Sequence, residues 1–496
     1  MKFKLTILLF VVGLVPALAQ NDHERGLQMM KEKNYKGALA AFDESIATHP
    51  DWYFPTLVKA KCQMALEQYR DAISTYSEAL GMETPAKDQL VAKFDMARAH
   101  MALEEYLNAI KLFNELVELV PNNKKFDIYF QKGQAEFQYG RSSASKGDNS
   151  ASFNYFSKAI ASFTEALKFP STSQKFKVEA TFQKAYAQYE IGNVQGTEKS
   201  LSDCLQQFEK VLQDDPRHRQ THDFLVDVSF KLVNIAKNDN EKANAYQKAL
   251  NYSDKALQAF PNDPKMTYRK GQALQGLKRY DEAVGMLKKY CALRPSDGEG
   301  WFHLASSEMA AKKYSDALGS FNKAIANGQR GEANVYTFMA YCYQEQKTGC
   351  YKTDIPVLSK AVEILQQGLR ATNNNGQVKR DLDSKQNNLD ILKDNQRTDE
   401  ENRKNFLANI KSLDDNIAIN ETKLIANRER YLATPTPELK AAIDEGEKQL
   451  KNDKSNLAEQ LKELKNSYDE AKKCGGSDAS IHFAAMTETL KGHGLI

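Results

Sequence analysis

The 496-residue chain has few structural staples: six cysteines, thirteen prolines and two tryptophans. Six cysteines in a chain this long exclude a disulfide-built scaffold, and thirteen prolines with 25 glycines exclude collagen-like and low-complexity classes. No sign of charge prevails. The 68 basic residues nearly balance 65 acidic ones, leaving a formal charge of +3, which is no footprint for nucleic acid. Catalytic signatures are also missing: there is no G-x-x-x-x-G-K-[ST], G-x-G-x-x-G, H-E-x-x-H, G-x-S-x-G or C-x-x-C. A non-catalytic protein without cofactor or metal is the expectation. His218 and His222 are four apart, but Arg217 and Arg219 crowd them and only Asp223 stands at ligand spacing, so structural histidines are the stronger reading.

One apolar run stands out, and it lies at the start. Lys2 and Lys4 precede an almost unbroken apolar stretch at 5–15, and Ala17-Leu18-Ala19 has the small-x-small pattern of a signal-peptidase site. Residues 1–19 therefore read as a signal peptide cut after Ala19, too short to span a membrane comfortably at about 20 residues. Export to a Gram-negative-type periplasm is the expectation, including its outer-membrane face, with no membrane span in the mature chain. Without Lys2 and Lys4 the balance is 66 against 65, which favours neither anionic lipid nor nucleic acid.

Over the next 350 residues a pattern recurs: a small residue, Tyr nine positions on, Ala three later, an aromatic four further, then Pro. The first copy has Gly26, Tyr35, Ala38, Phe42 and Pro50; later copies have Ala97, Tyr106, Ala109, Phe113 and Pro121, then Gly271, Tyr280, Ala283, Leu287 and Pro295. The central Ala positions, with one Cys, fall at 38, 72, 109, 159, 204, 249, 283 and 317. Their spacing is 34 in three pairs of neighbours and exceeds 34 by 3, 16, 11 and 11 elsewhere, so the excess must be lengthened helices or loops. The stretch 141–150, RSSASKGDNS, reads as a loop within the fourth copy. A ninth, degenerate copy begins near Tyr336, with its second helix expected from Pro356 to Leu369.

The order and period of these residues resemble the tetratricopeptide repeat, a 34-residue helix-turn-helix unit. The resemblance implies an all-α superhelical solenoid of about eight to nine repeats over 20–372. It also implies a concave groove that receives proteins or peptides, lined at fixed positions of each first helix. Carried over by register, those positions hold Met30, Leu57, Lys61, Met64, Phe94, Arg98, Met101, Tyr268, Phe302 and Met309, with Gln275 interrupting the Met row. The alternative is that these residues pack against neighbouring helices. The family's Lys/Asn clamp for a peptide carboxylate is not recognisable.

After Asn373-Asn374-Asn375-Gly376 the period becomes seven. Leu382, Leu389, Gln396, Arg403, Ile410, Ile417, Leu424 and Tyr431 form one seam; after the Thr434-Pro435-Thr436-Pro437 break, Ile443, Leu450, Leu457, Leu464 and Ala471 form another. Two heptad arms about a proline turn predict an antiparallel coiled-coil hairpin over 377–474, its return arm 37 residues long at 438–474 and thus about 55 Å. Over 475–496 a linker and a helix at 480–490 resemble the segment 300–310 and are expected to cap the solenoid. Cys342 and Cys350 flank a Lys347-Thr348-Gly349 turn and are the candidate disulfide pair; buried free thiols are the ordinary expectation for Cys62, Cys204 and Cys342. The functional expectation is an envelope or secretion scaffold, the groove holding one partner and the hairpin another. A holdase-like chaperone for apolar segments of many clients is the rival.

Overall fold

The computed structural model describes residues 17–171 and 173–496. Most of the expected signal peptide, residues 1–16, lies outside the described residues; Ala17, Leu18 and Ala19 open the first helix. Among the described residues there are twenty-one α-helices and no strand. The chain divides into two compact units, 1–269 and 270–496.

The first unit is a series of antiparallel helix pairs: α1 (Ala17–Lys31) with α2 (Tyr35–Thr48), α3 (Tyr53–Ala65) with α4 (Tyr69–Leu80), and α5 (Ala86–Ala102) with α6 (Tyr106–Leu119). Three longer pairs follow: α7 (Asn122–Ser145) with α8 (Asn149–Ala166), α9 (Gln174–Gln195) with α10 (Glu198–Asp214), and α11 (Arg219–Ile235) with α12 (Asp239–Ala259). Helix α13 (Pro264–Gly276) contains the boundary between the units. Each pair closes because the first helix offers a small residue where the second offers a large one. A Cβ added at Gly26 would lie 2.6 Å from the Phe42 ring, so only a hydrogen leaves room for the helices to meet. Ala38 and Phe42 are fully buried there, as are Ala72 with Tyr76 and Ala109 with Phe113. The turns before α2, α4 and α6 are tight enough to force a left-handed residue, which at Lys33, Glu67 and Glu104 is not glycine (φ 60° to 63°).

The excess residues of the middle repeats are helix. The expected loop at 141–150 is corrected: α7 runs to Ser145 and α8 starts at Asn149, capped by the Asp148 carboxylate, which accepts from Ala151 N at 2.9 Å. The repeat pair there is Gly133 with Phe163, whose ring lies 2.7 Å from where a Cβ would be; seven residues nearer the turn, Gly140 repeats the arrangement with Phe156 at 2.8 Å. Seven residues added to each helix are about two turns, so the inserted face stays in register with the packed one. Ser and Gly composition suggested a loop, but matched insertion into two packed helices overrode it.

The second unit continues with α14 (Tyr280–Leu293), α15 (Gly298–Ala310), α16 (Tyr314–Ala326), α17 (Ala333–Gln344) and α18 (Tyr351–Ala371). Helix α18 begins five residues before Pro356, because the Asp354 carboxylate accepts from Thr348 N (2.7 Å) and Gly349 N (3.0 Å) and organises the turn ahead of it. Then comes a 58-residue helix, α19 (Gly376–Ala433), a proline turn, and α20 (Pro437–Lys473) of 37 residues. The Thr436 hydroxyl caps α20 by accepting from Leu439 N at 3.2 Å.

The two arms differ by 21 residues, about 32 Å of helix. That difference decides the architecture: α18 lies along the first part of α19, and α20 along the rest. Val378, Leu382 and Leu389 of α19 cover Leu358, Ala361, Val362 and Leu365 of α18. The start of α19, and not the C-terminal helix, therefore closes the last repeat, which corrects the expected cap. Helix α21 (Phe483–Gly492) packs instead on the hairpin, with Met486 and Leu490 buried against Ile410, Leu461, Leu464, Tyr468 and Ala471. Ile481, aligned with Trp301 in the sequence, is 83% exposed.

The end of α20 meets the start of α18 on the flank of α19, and there Cys350 is disulfide-bonded to Cys474 with Cα atoms 5.5 Å apart. The expected Cys342–Cys350 pair is thus corrected. Cys342 lies within α17 and is fully buried, whereas Cys350 caps α18 and faces the end of the return arm. Beside the bond, the Tyr351 hydroxyl donates to Asp399 (2.7 Å), the Ser480 hydroxyl to Glu400 (3.0 Å) and the buried Arg403 guanidinium to Glu400 (2.7 Å).

Candidate partner-binding surfaces

In the first unit, the first helices of successive repeats, α3 and α5, touch, and they carry the expected Met and cation positions. Leu57 is corrected from groove to core: it is 1% exposed and packs with Ala60, Ala72, Tyr76, Ala92 and Met96. Its helix turn faces α4, so burial claims it. Met30, Met64 and Met101 are half-buried, each resting on the core of its own repeat with one side toward solvent, and Phe94 meets Phe113 edge-on at 6.1 Å.

Lys61 and Arg98 converge on a residue that sequence reasoning passed over. Asp95 sits one turn before Arg98, accepts from the buried Tyr76 hydroxyl at 3.2 Å, and lies 3.6 Å from an Arg98 guanidinium nitrogen. Burial pushes its carboxyl above the ordinary aspartate range, with Lys61 and Arg98 pulling the other way. Burial, helped by the Asp95 charge, also pushes the Tyr76 hydroxyl up. Arg98 remains half exposed, so the local surface offers cations framed by Met64, Phe94 and Met101.

Farther along the same unit the first-helix face is closed by its own charges. Lys265 of α13 reaches Asp227 at 3.0 Å, Arg269 reaches Asp227 at 3.3 Å, and Arg219 pairs with the buried Asp263. Tyr268 is half-buried beside them. The two histidines organise a turn: His218 Nδ1 is 2.8 Å from the Thr221 hydroxyl, and His222 Nε2 donates to Pro216 O at 2.9 Å.

In the second unit the corresponding surface is aromatic. Phe302 stacks on Phe338 with centroids 6.0 Å apart, Met309 rests on the same cluster, and Tyr314 meets Tyr341 edge-on at 6.3 Å. Tyr341 is 43% exposed. Phe338 and Tyr341 were missed because the ninth repeat is degenerate; the aromatic-rich run Tyr336 to Tyr343 was the available signal. Gln275 breaks the Met row because it ties two helices: its amide donates to His303 O at 2.9 Å while its carbonyl oxygen meets His303 Nδ1 at 3.0 Å.

Comparison with known proteins bears on these repeats. Residues 57–145 match the tetratricopeptide repeat family, and residues 242–324 match the family described as anaphase-promoting complex, cyclosome, subunit 3. Similar solved structures include the C-terminal part of a TPR repeat-containing protein from Cytophaga hutchinsonii, at 18% identity over 58% of this chain and 99% of that one, TM-score 0.39. MamA from Desulfovibrio magneticus RS-1 is 19% identical over 37% of this chain and 95% of its own, TM-score 0.29. A thermophilic TPR protein of Thermus thermophilus is 18% identical over 42% of this chain and 98% of its own, TM-score 0.27. No curated protein matches the sequence. The repeat matches and the paired helices make the fold a tetratricopeptide-type solenoid, a fold that serves protein-protein interaction. No described helix is long and apolar enough to cross a membrane.

Proposed function

We propose that this tetratricopeptide-repeat solenoid is an exported, non-catalytic scaffold of a bacterial cell envelope, holding one protein partner on its first-helix surface and another on its hairpin. One observation carries the first half of the reading. Lys61 and Arg98 stand among half-buried Met64, Phe94 and Met101, an arrangement that fits an apolar segment bearing acidic side chains. The Cys350–Cys474 bond is in keeping with export, since disulfides persist in oxidising compartments. The hairpin, a rigid arm with a polar outer surface over most of its length, suits a second attachment that does not compete with the first.

The test is a pull-down from an envelope extract with the full chain and with a Lys61→Gln/Arg98→Gln variant. Both cations also offset the charge of the buried Asp95 carboxyl, so capture is compared at a temperature well below the melting midpoint of each protein. One or two stoichiometric partners lost on substitution supports the scaffold. A broad mixture of clients unaffected by the change points to the holdase-like chaperone instead.

A further inference from the structure

On the second-helix side of the first unit, α6 and α8 both pack on α7, and between them lies a groove of about 670 Å³. That volume is within the usual range for ligand sites. Its floor is α7, where the buried Glu136 carboxylate accepts from the Ser162 hydroxyl of α8 at 2.6 Å and lies 3.8 Å from Lys132 Nζ, one turn back on its own helix. Its walls are Leu107, Ile110, Lys111 and Asn114 of α6 and Tyr155 and Lys158 of α8.

The same buried pair recurs in the second unit, and the difference between the two copies accounts for the groove. Glu308 stands three places after Ala305 as Glu136 stands three after Gly133, and Ser320 three after Ala317 as Ser162 three after Ala159. Ser320 donates to Glu308 at 2.6 Å. There, however, the cation comes from the preceding second helix: Lys288 of α14 reaches across to Glu308 at 3.3 Å. Lys288 stands five places after Ala283, and the residue five places after Ala109 is Asn114, which is shorter and carries no charge to take across. Glu136 draws its cation from its own helix instead.

The charge left over in the groove has one sign. Glu115 at its edge is held by Lys93 at 2.8 Å, and Glu136 by Ser162 and Lys132. Lys111 and Lys158, one on each wall, are exposed and form no ion pair among the described residues; Lys158 sits over the Tyr155 ring at 4.3 Å. Beside them Leu107 is 48% exposed. Two unmatched cations bracketing an apolar strip are complementary to carboxylates that flank an apolar side chain. A simple inorganic anion would leave Leu107 unused.

We propose that this groove binds an acidic segment of a partner protein, its carboxylates paired with Lys111 and Lys158 and an apolar side chain laid on Leu107, Ile110 and Tyr155. The site is separate from Lys61 and Arg98, which belong to the first helices α3 and α5, so it stands or falls independently of that surface.

The test is fluorescence anisotropy of a labelled peptide of alternating Asp and Leu, titrated well below the melting midpoint with the full oxidised chain, both wild type and carrying Lys61→Gln/Arg98→Gln. In the second protein the first-helix cations make no contribution, and saturable binding that weakens with added salt is still expected. On that background Lys111→Gln/Lys158→Gln should lower the affinity roughly five- to tenfold, as two exposed ion pairs would, and Leu107→Asn roughly threefold. Helicity should not change, because all three positions are exposed. A peptide of alternating Lys and Leu should not bind, and inorganic phosphate at matched ionic strength should not displace the acidic one. Absence of binding, binding indifferent to the lysine pair, or equal binding of the basic peptide overturns the proposal. Displacement by phosphate, or indifference to Leu107→Asn, overturns it too and leaves a simple anion site. Binding seen only with Lys61 and Arg98 intact belongs to the first-helix surface and overturns it as well.

Discussion

Substituting alanine for glycine should have opposite effects at two helical sites of the second unit, and the sign follows from packing alone. Gly368 of α18 faces α17 so closely that an added Cβ would sit 2.5 Å from Tyr336 Cγ and 2.6 Å from Tyr336 Cβ. Those atoms are the root of the side chain, and no rotamer change moves Cβ. The Tyr336 hydroxyl is in addition held by Arg330 O at 2.9 Å. Gly368→Ala must therefore push the helices apart, at the usual overpacking cost of about 1 to 3 kcal/mol. Better helix propensity returns roughly 0.5 to 1 kcal/mol, leaving a net loss of about 0.5 to 2. Gly285 of α14 has nothing within 4 Å of the same added atom, so Gly285→Ala should gain about 0.5 to 1 kcal/mol. At about 2 to 4 °C per kcal/mol for a unit of this size, the two variants should bracket the wild-type melting midpoint by several degrees. The chain has two tryptophans, so a Trp52→Phe background leaves Trp301 as the sole tryptophan reporter of the second unit. If Gly368→Ala melts at or above wild type, the close α17–α18 packing is wrong.

Three further outcomes are expected. Cys474→Ser releases a link between residues 124 apart, for which the chain-entropy estimate is about 4 to 5 kcal/mol, so the second unit should melt far lower; an unreduced peptide map should join Cys350 to Cys474 and never to Cys342. Replacing 414–458 by a short flexible turn should leave the last repeat folded, whereas removing 377–474 should destabilise it by uncovering Leu358, Val362 and Leu365; equal melting of the two truncations would contradict the capping role of α19. Burial raises the carboxyl of Glu136, which accepts from Ser162 at 2.6 Å, above its ordinary 4.5. With the folded value above the unfolded one, the protonated form's contribution is complete below about pH 4.5 and is lost as pH rises through the folded value. Glu136→Gln should hence raise the melting midpoint at neutral pH and make little difference near pH 4; the reverse order would refute the assignment.

The repeat was legible because close helix packing has few solutions. Gly26 against Phe42 and Ala72 beside Tyr76 recur at one spacing, since a 34-residue helix pair meets its neighbour in one way, and the heptads of both hairpin arms follow from the same geometry. Register placed Met30, Met64 and Met101 on the first helices, where they are half-buried against the core of their own repeats. Leu57 was misread because the repeat position says which helix face a residue occupies, not how far the neighbouring helix covers it. Asp95 was invisible, as its raised carboxyl depends on burial and on Tyr76 from another helix.

Sequence alone determined the helical repeat, the hairpin and the turn at Pro435 and Pro437, because each rests on contacts local to one or two helices. Tertiary structure decided what closes the last repeat, where the C-terminal helix docks and which cysteines pair. Those outcomes depend on the 21-residue difference between α19 and α20, which lays α18 and α20 end to end along one long helix and brings Cys350 to Cys474 across 124 residues of chain. Local pattern marks the repeats and the two arms; only the packing of three helices together fixes which ends meet.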